Sequence, residues 1–388
     1  MPDTAALKAQ FGQILGPGGR VRVVRSPGRV NLIGEHTDYN DGFVFPMAIE
    51  PNVLIACRGR DDQRVRLAST AFPGQVVEFS VSGKIERGEP KWANYCRGIA
   101  AELLAAGIPL VGMDALFTNT LPVGSGLSSS AAMIVGTGLA LLTLAGATMD
   151  PQRLALLAQK AEHEYAGAPV GIMDQTIIAA GRKGTAMLLD CRDLSKQFVP
   201  LDPNELKVVI VNSMVKHELT GGEYGQRRKQ CEQGVAYFRR ANPEIKALRD
   251  VTIKQLDSAK GQLDETVFRR CRHVITEIAR TTEYATQLAK KNYEQAGELM
   301  RKSHDSLRDD YEVSTAELDY LVDESMKNKG IYGARMTGGG FGGSIVALVQ
   351  PRAVDAYVTM IAESYQRKFN KKPETFVTDP SDGVRVIE

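Results

Sequence analysis

Neither a disulfide framework nor a thiolate metal site is supported by this sequence. Its five cysteines, Cys57, Cys96, Cys191, Cys231 and Cys271, are odd in number, widely spaced and free of any CxxC pair. That usage fits a reducing, cytoplasmic setting. Charge of one sign is not in excess either: forty-eight basic against forty-six acidic residues leave a net charge of +2. No block of like charges is long enough for a nucleic-acid arm or a polybasic membrane anchor, so neither partner is expected. The opening MPDTAALKAQFGQILG lacks a basic segment followed by a sustained apolar one and does not read as a secretory signal. Long hydrophobic runs are reduced to one, Ala131 to Ala147. It is near the lower length limit for a bilayer span, but its glycines and threonines, and the absence of a flanking basic cluster, favour a buried core helix.

What is present is an ordinary globular composition, 43% hydrophobic and 24% charged over 388 residues, enough for two domains. Strand-like stretches at 21–24, 52–59, 65–69, 76–81, 112–120 and 185–190 alternate with helical patterns near 91–106, 128–147, 152–166 and 173–181. A polar stretch with two prolines, residues 191–205, is the candidate boundary, giving domains 1–195 and 196–388. A strand at 207–213 follows, then charge-rich helices from about 223 to 329, whose basic residues between 227 and 302 read as solvated faces. Strands at 332–337, 344–349 and 374–378 and a helix near 352–368 complete a second α+β unit.

Four places carry more chemistry than folding requires. SPGRVNLIGEHTDYNDG, Ser26 to Gly42, places Arg29, Glu35, His36, Asp38 and Asp41 in what reads as one loop, bent at Gly28 and Gly34. A turn needs only a few such groups, so a binding site is indicated. LPVGSGLSSSAA, Leu121 to Ala132, is a Gly/Ser turn opening a helix, where free N–H groups and the dipole favour a phosphate. It matches neither GxxxxGK[ST] nor GxGxxG. Ser128 there is a candidate N-cap, and Ser130 a candidate Mg²⁺ ligand. In LALLAQKAEHEYAGAPVGIMDQ, Glu162 borders an apolar helical face and needs a cation or a basic neighbour, while Asp174 sits among apolar residues as a general base or an N-cap. MTGGGFGGSIVAL, Met336 to Leu348, allows either a close backbone approach or a flexible hairpin.

These motifs, in this order, resemble the galactokinases of the GHMP kinase superfamily. GRVNLIGEHTDYNDG is similar to their signature, LPVGSGLSSSAA to their phosphate loop and MTGGGFGGSIVAL to their C-terminal glycine motif. GIMDQ, WANY at 92–95 and Glu223-Tyr-Gly-Gln-Arg-Arg extend the similarity over nearly the whole chain. The resemblance implies a two-domain α/β (α+β) fold with mixed and antiparallel sheets flanked by helices and an active site in the cleft between domains. It implies phosphorylation of galactose at C1 by ATP with Mg²⁺, the first step of galactose catabolism, by a monomer. By the same resemblance, Asp174 and Arg29 would be catalytic, and Glu35, His36, Thr37, Asp38, Gly171, Asp174 and Tyr224 would hold the sugar. Ser69, Trp92, Gly124, Ser125, Gly126, Leu127, Ser128, Ser129 and Ser130 would meet ATP, and Ser130 and Glu162 would serve the metal.

Three other readings compete. A kinase for N-acetylgalactosamine or another sugar would use the same apparatus, although no residue calls for an acetamido pocket. A galactokinase-like sensor would bind without turnover, but such sensors lack part of the serine-alanine loop that Ser128 to Ala131 complete. A metal cluster of Glu35, His36 and Asp38 would normally recruit another histidine or a thiolate. His163, His217, His273 and His304 all read as surface residues.

Overall fold

The computed structural model describes residues 4–122, 124–215 and 222–388; Val123 of the Gly/Ser turn and His217 lie outside them. Along the first half run α1 (Thr4–Leu15), β1 (Arg22–Asn31), β2 (Phe43–Val44), β3 (Pro46–Arg60), β4 (Arg64–Ser69), β5 (Val76–Ser80), α2 (Ala93–Ala105) and β6 (Gly112–Asn119). They are followed by α3 (Ser129–Leu144), α4 (Pro151–Ala161), a π turn (Glu162–Ala166), α5 (Met173–Ala180), β7 (Thr185–Asp190) and β8 (Lys196–Pro200). The second half has β9 (Lys207–Asn212), α6 (Glu223–Arg239), α7 (Ile253–Ser258), α8 (Glu265–Ala289), α9 (Tyr293–Asp309) and α10 (Ala316–Met326). It ends with β10 (Ile331–Thr337), β11 (Ser344–Val349), α11 (Val354–Phe369), β12 (Glu374–Thr378) and β13 (Arg385–Val386).

Among the described residues the strands make a mixed six-stranded sheet, β13-β1-β3-β6-β4-β5, an antiparallel four-stranded sheet, β10-β11-β9-β12, and a small sheet, β2-β7-β8. The mixed and antiparallel sheets that the resemblance implied are therefore present. The divide expected at residue 195 falls in the turn of the β7–β8 hairpin, and β13 returns from the end of the chain to pair with β1.

Each face of the first sheet is covered for a legible reason. Leu7, Phe11 and Leu15 recur every four residues, so α1 presents one apolar stripe, which meets Val23, Leu54, Ala56 and Leu116. The sequence reading assigned no helix there, although the spacing was present. The opposite face receives α3, buried nearly all round against β1, β3, α2, α4 and α5. Among the described residues no helix is long and apolar enough to cross a membrane.

Two expectations fail in the second half. α8 is amphipathic as its charge suggests, but Arg270, His273 and Glu277 lie on its buried side, and His304 of α9 is fully buried. A charged residue is kept inside when ionic partners converge on it, as Glu312 does on Arg270, Arg280 on Glu277 and Asp319 on His304, while His273 is held by Ser306 and the Glu35 carbonyl.

Candidate active site

Ser26 to Asn31 does not form a loop. It continues β1, with a register shift between Pro27 and Arg29 where Pro27 has no N–H to give to the ladder. Gly28 is needed for closeness rather than for bending: a Cβ there would lie 2.3 Å from Leu121 Cδ2 and 2.8 Å from the Leu127 carbonyl oxygen. Gly34 does bend the chain, with φ +97°. The backbone N–H of Arg29 donates to the Leu127 carbonyl at 3.2 Å, so the strand and the Gly/Ser turn are joined directly.

The Arg29 side chain then reaches Asp174 in the first turn of α5. Nε donates to Oδ1 and Nη2 to Oδ2, each at 2.7 Å, and Nη1 donates to the Gly126 carbonyl at 2.5 Å. Ser128 adds a further hydrogen bond to Asp174 Oδ2. Ser128 does stand at the expected N-cap position of α3, but with left-handed backbone, φ 61° and ψ 46°, and its hydroxyl serves the carboxylate instead of capping the helix. Asp174 is not a cap either, since Ile172 occupies that position.

The turn itself is braced from the second half. Ser344 Oγ donates to the Ser125 carbonyl at 2.8 Å, and a Cβ at Gly338 or Gly343 would crowd Gly126 O at 3.1 Å or Ser125 O at 3.2 Å. The glycine run joins β10 and β11 as a hairpin and also lets that hairpin lie against the turn. Gly124 and Gly126 remain exposed and Ser128, Ser129 and Ser130 half-buried, while the Leu127 side chain is core and the Ser125 hydroxyl is spent on Pro122 O at 2.7 Å. What is presented outward is a helix N-terminus, a ready anion site.

Beside that terminus and close to Ser130 lies Glu162, which ends α4 at the start of the π turn and is buried rather than merely bordering the apolar face of the helix. Gln175 Nε2 donates to Glu162 Oε2 at 2.7 Å. Burial pushes the Glu162 carboxyl up to about 7, against the Ser130 and Gln175 hydrogen bonds. One carboxylate and one hydroxyl, both hard oxygen donors with no thiolate among their hydrogen-bond partners, fit Mg²⁺. A cation would stabilise the ionised form that burial disfavours.

The other end of the cleft is held by a buried ionic network. Glu35 accepts from Asn31 Nδ2 at 2.9 Å, from the Gly338 N–H at 2.8 Å and from Arg335 Nη1 at 3.3 Å. Arg335, fully buried, also bonds Ser303 and the Asn31 carbonyl. Glu277 receives the Gly34 N–H at 3.0 Å and Arg280 at 2.8 Å. Burial opposes its ionisation, but Arg280, His273 and Arg335 prevail and hold its carboxyl down to about 2. His273 fixes the loop backbone by bonding the Glu35 carbonyl at 3.1 Å.

His36 has φ 62°; its Nε2 faces the Gly339 carbonyl at 3.2 Å and its Nδ1 the Tyr39 hydroxyl at 2.7 Å. The carbonyl can only accept, so Nε2 carries the proton, Tyr39 donates to Nδ1, and Tyr311 donates to Tyr39 at 2.8 Å. Burial, and then His273, push the imidazole down to about 3, so it is neutral. With both nitrogens engaged, His36 has none left for a metal, which removes the cluster with Glu35 and Asp38. Thr37 Oγ1 is likewise occupied, by Gly34 O at 2.8 Å and Phe43 O at 2.7 Å.

Asp38 retains acceptor capacity. Its carboxylate lies against Gly171, where a Cβ would fall 1.7 Å from Oδ2. Burial, then Asp174 and Glu35, push it up to about 7. Tyr224, in the first turn of α6, stands 5.4 Å from the His36 ring centroid, and burial followed by Asp38 and Asp174 pushes its phenol well above the usual range. Glu35, His36, Asp38, Gly171, Asp174 and Tyr224 thus converge, from three separate stretches of chain. Asp41, without a role in the sequence beyond turn formation, pairs with Arg192 at 3.4 Å, and its carbonyl accepts from Arg249 at 2.9 Å.

Ser69 and Trp92 sit apart from these groups. Ser69 ends β4, paired with Phe117, whose ring meets Trp92 edge-on at 6.1 Å. Missed altogether were Asn31, Arg335, Glu277, Tyr39 and Gln175. Arg335 did leave a signal, an arginine inside the apolar strand YGARMT, which calls for a buried partner.

Family comparisons match the same regions. A galactokinase galactose-binding signature covers residues 9–59, the N-terminal domain of GHMP kinases residues 94–182 and their C-terminal domain residues 284–366. A galactokinase of Chloroflexus aurantiacus is 44% identical over 387 residues, spanning 100% of this chain and 98% of that one. A galactokinase of Chloroflexus aggregans is 46% identical over 383 residues, 99% and 96% of the two chains. The crystal structure of Lactococcus lactis galactokinase complexed with galactose superposes with a TM-score of 0.95 at 34% identity, covering 98% of this chain and 99% of the other. The Methanococcus jannaschii mevalonate kinase, at 19% identity and a TM-score of 0.64 over 94% of this chain and 100% of its own, shares the fold.

Proposed function

Because this chain belongs to the galactokinases of the GHMP kinase superfamily, we propose that it transfers the γ-phosphoryl group of ATP to the C1 hydroxyl of α-D-galactose. The products are galactose 1-phosphate and ADP. The observation that carries this reading is the Arg29–Asp174–Ser128 constellation at the mouth of the α3 N-terminus.

Phosphoryl transfer asks the protein chiefly for positioning and charge stabilisation. Asp174 Oδ2 already accepts from Arg29 and Ser128, whereas Oδ1 accepts from Arg29 alone. Each carboxylate oxygen has about two lone-pair sites. Oδ1 is therefore the atom that receives the C1 hydroxyl and takes its proton as the oxygen attacks the γ-phosphorus and the bond to ADP breaks. Arg29 orients the carboxylate and places positive charge beside the transferring group. The N–H groups of Ser129 and Ser130, with Gly124 and Gly126, receive the phosphates. Ser130 and Glu162 would hold Mg²⁺, which supplies charge neutralisation on the phosphate oxygens. Asp38, Glu35, His36 and Tyr224 frame the sugar, Gly171 leaves room for Asp38, and Thr37 acts by holding the loop. Trp92, with Ser69, serves the base of the nucleotide, in a monomer acting in the cytoplasm.

Inverting or removing a sugar hydroxyl would strand acceptors that the loop holds rigidly, which underlies selectivity. The test is ADP release by the purified chain with Mg²⁺, ATP and a panel of hexoses and N-acetylhexosamines. Galactose should dominate. A preference for N-acetylgalactosamine would replace the substrate, and binding of galactose and ATP with no ADP release would make the protein a sensor.

A further inference from the structure

One aromatic side chain near the nucleotide end has no task in the fold. Phe72, in the turn between β4 and β5, is 48% exposed, and residues 71–76 around it are exposed as well. Its ring lies nearly parallel to that of Trp92, 12° between planes and 6.0 Å between centroids. Trp92 has an anchor apart from Phe72 in Phe117, which meets it edge-on at 70°, while its Nε1 donates to Gln75 Oε1 at 3.1 Å, in the same turn as Phe72. One face of the indole is thus covered by a side chain that buries little of itself, an arrangement that core packing does not explain.

Its location points to a ligand. Trp92 immediately precedes α2, and Tyr95, one helical turn further on, is close enough to feel the Glu162 carboxylate. Glu162 contacts Ser130 at the α3 N-terminus. The aromatic pair therefore stands to one side of the phosphate and metal locus, where the base of a bound nucleotide must emerge. Ring-to-base contacts on both faces, each about 3.5–4.0 Å, need a gap of about 7–8 Å. The 6.0 Å between centroids falls short of that gap, so the pair must open, and the element that moves is the exposed turn carrying Phe72 and Gln75, with loss of the Gln75–Trp92 hydrogen bond.

We propose that Phe72 and Trp92 clamp the adenine ring of ATP between them, Trp92 as the fixed inner wall and Phe72 as the movable outer one. This rests on the chain using ATP and extends that reading to a residue that determines nucleotide affinity. A base held by its two faces is selected for ring area, so purine nucleotides bind more tightly than pyrimidine ones.

Trp92 is the only tryptophan of the chain, so intrinsic fluorescence of the full-length protein reads the clamp directly. Titration with MgADP should change the wild-type emission. Phe72→Ala should weaken MgADP by roughly five- to a hundredfold, the range that stacking on one face of a base commands, and Phe72→Tyr should restore it. Inorganic tripolyphosphate, which has no base, should compete equally well against wild type and Phe72→Ala, and the KM for galactose should not move. An MgADP affinity of Phe72→Ala within twofold of wild type would overturn the clamp, as would an equal loss of tripolyphosphate binding. Either result would leave the kinase reading intact. That reading fails separately, if the wild type releases no ADP with galactose.

Discussion

At the sugar end of the cleft Glu35, His36 and Thr37 are 2, 4 and 0% exposed and already hydrogen-bonded to protein, whereas at the phosphoryl end Asp174 keeps 21% of its side chain open and Ser128 to Ser130 are half-buried. The first region is preorganised: its loop is tied to α8, α9 and β10 before any ligand arrives, so little ordering remains for binding. The second is an open cradle, the helix N-terminus proposed to take the nucleotide. Substitutions should therefore separate the two ends, damage to the cradle lowering rate and damage to the sugar loop lowering stability.

The largest effect should come from the cradle. Asp174→Asn removes the proposed proton acceptor and is expected to lower kcat by about 10²–10⁴-fold, with a fall in Tm smaller than that of Arg335→Leu because Asp174 keeps 21% of its side chain exposed. Near-wild-type turnover would mean that no proton transfer runs through this residue. Next is Arg335→Leu. It leaves Glu35 a buried carboxylate without its cation, Glu277 keeping Arg280 at 2.8 Å, and urea unfolding should show a loss of about 3–5 kcal/mol, as for other broken buried pairs. A loss below about 1 kcal/mol, the scale of an exposed pair, would erase the distinction between the two ends.

The smallest effect sharpens the comparison, since Asp38 belongs to the sugar end but is not satisfied there. Its folded pKa of about 7 lies above the unfolded value near 3.9, so the folded state binds the proton more tightly and this group stabilises progressively as pH falls from about 7 to about 4. Asp38→Asn should therefore melt a few degrees higher than wild type at pH 8, the gap narrowing as pH is lowered, while the KM for galactose rises. A gap independent of pH between 4 and 8 would show that Asp38 does not titrate in this way.

Much of the cradle was legible because it is local. A glycine-serine turn, the helix it opens and an acid in an apolar run leave their marks within a few dozen residues, and Ser130, Glu162 and Asp174 stood out as candidates that way before any family was invoked. The supports of the sugar loop were not. Arg335 lies 300 residues from Glu35 along the chain, and a charge-rich α8 looks solvated until partners from elsewhere are placed on its inner side. Backbone conformation was also beyond the pattern. Nothing in SSSAA distinguishes a serine that caps from one turned left-handed toward a distant carboxylate, and SPGRVN reads as a loop although a bulge lets it continue a strand.

The two-residue β13 has a consequence out of proportion to its length. By pairing with Val24 and Arg25 it covers the flank of β1, the strand that carries Arg29, which would otherwise end the sheet. Shortening the chain by its last four residues would uncover a row of backbone donors and acceptors next to Val23 and Val24, a template for strand addition by another molecule. Such a variant should be recognised first by insolubility and turnover in the cell, and only second by its catalysis.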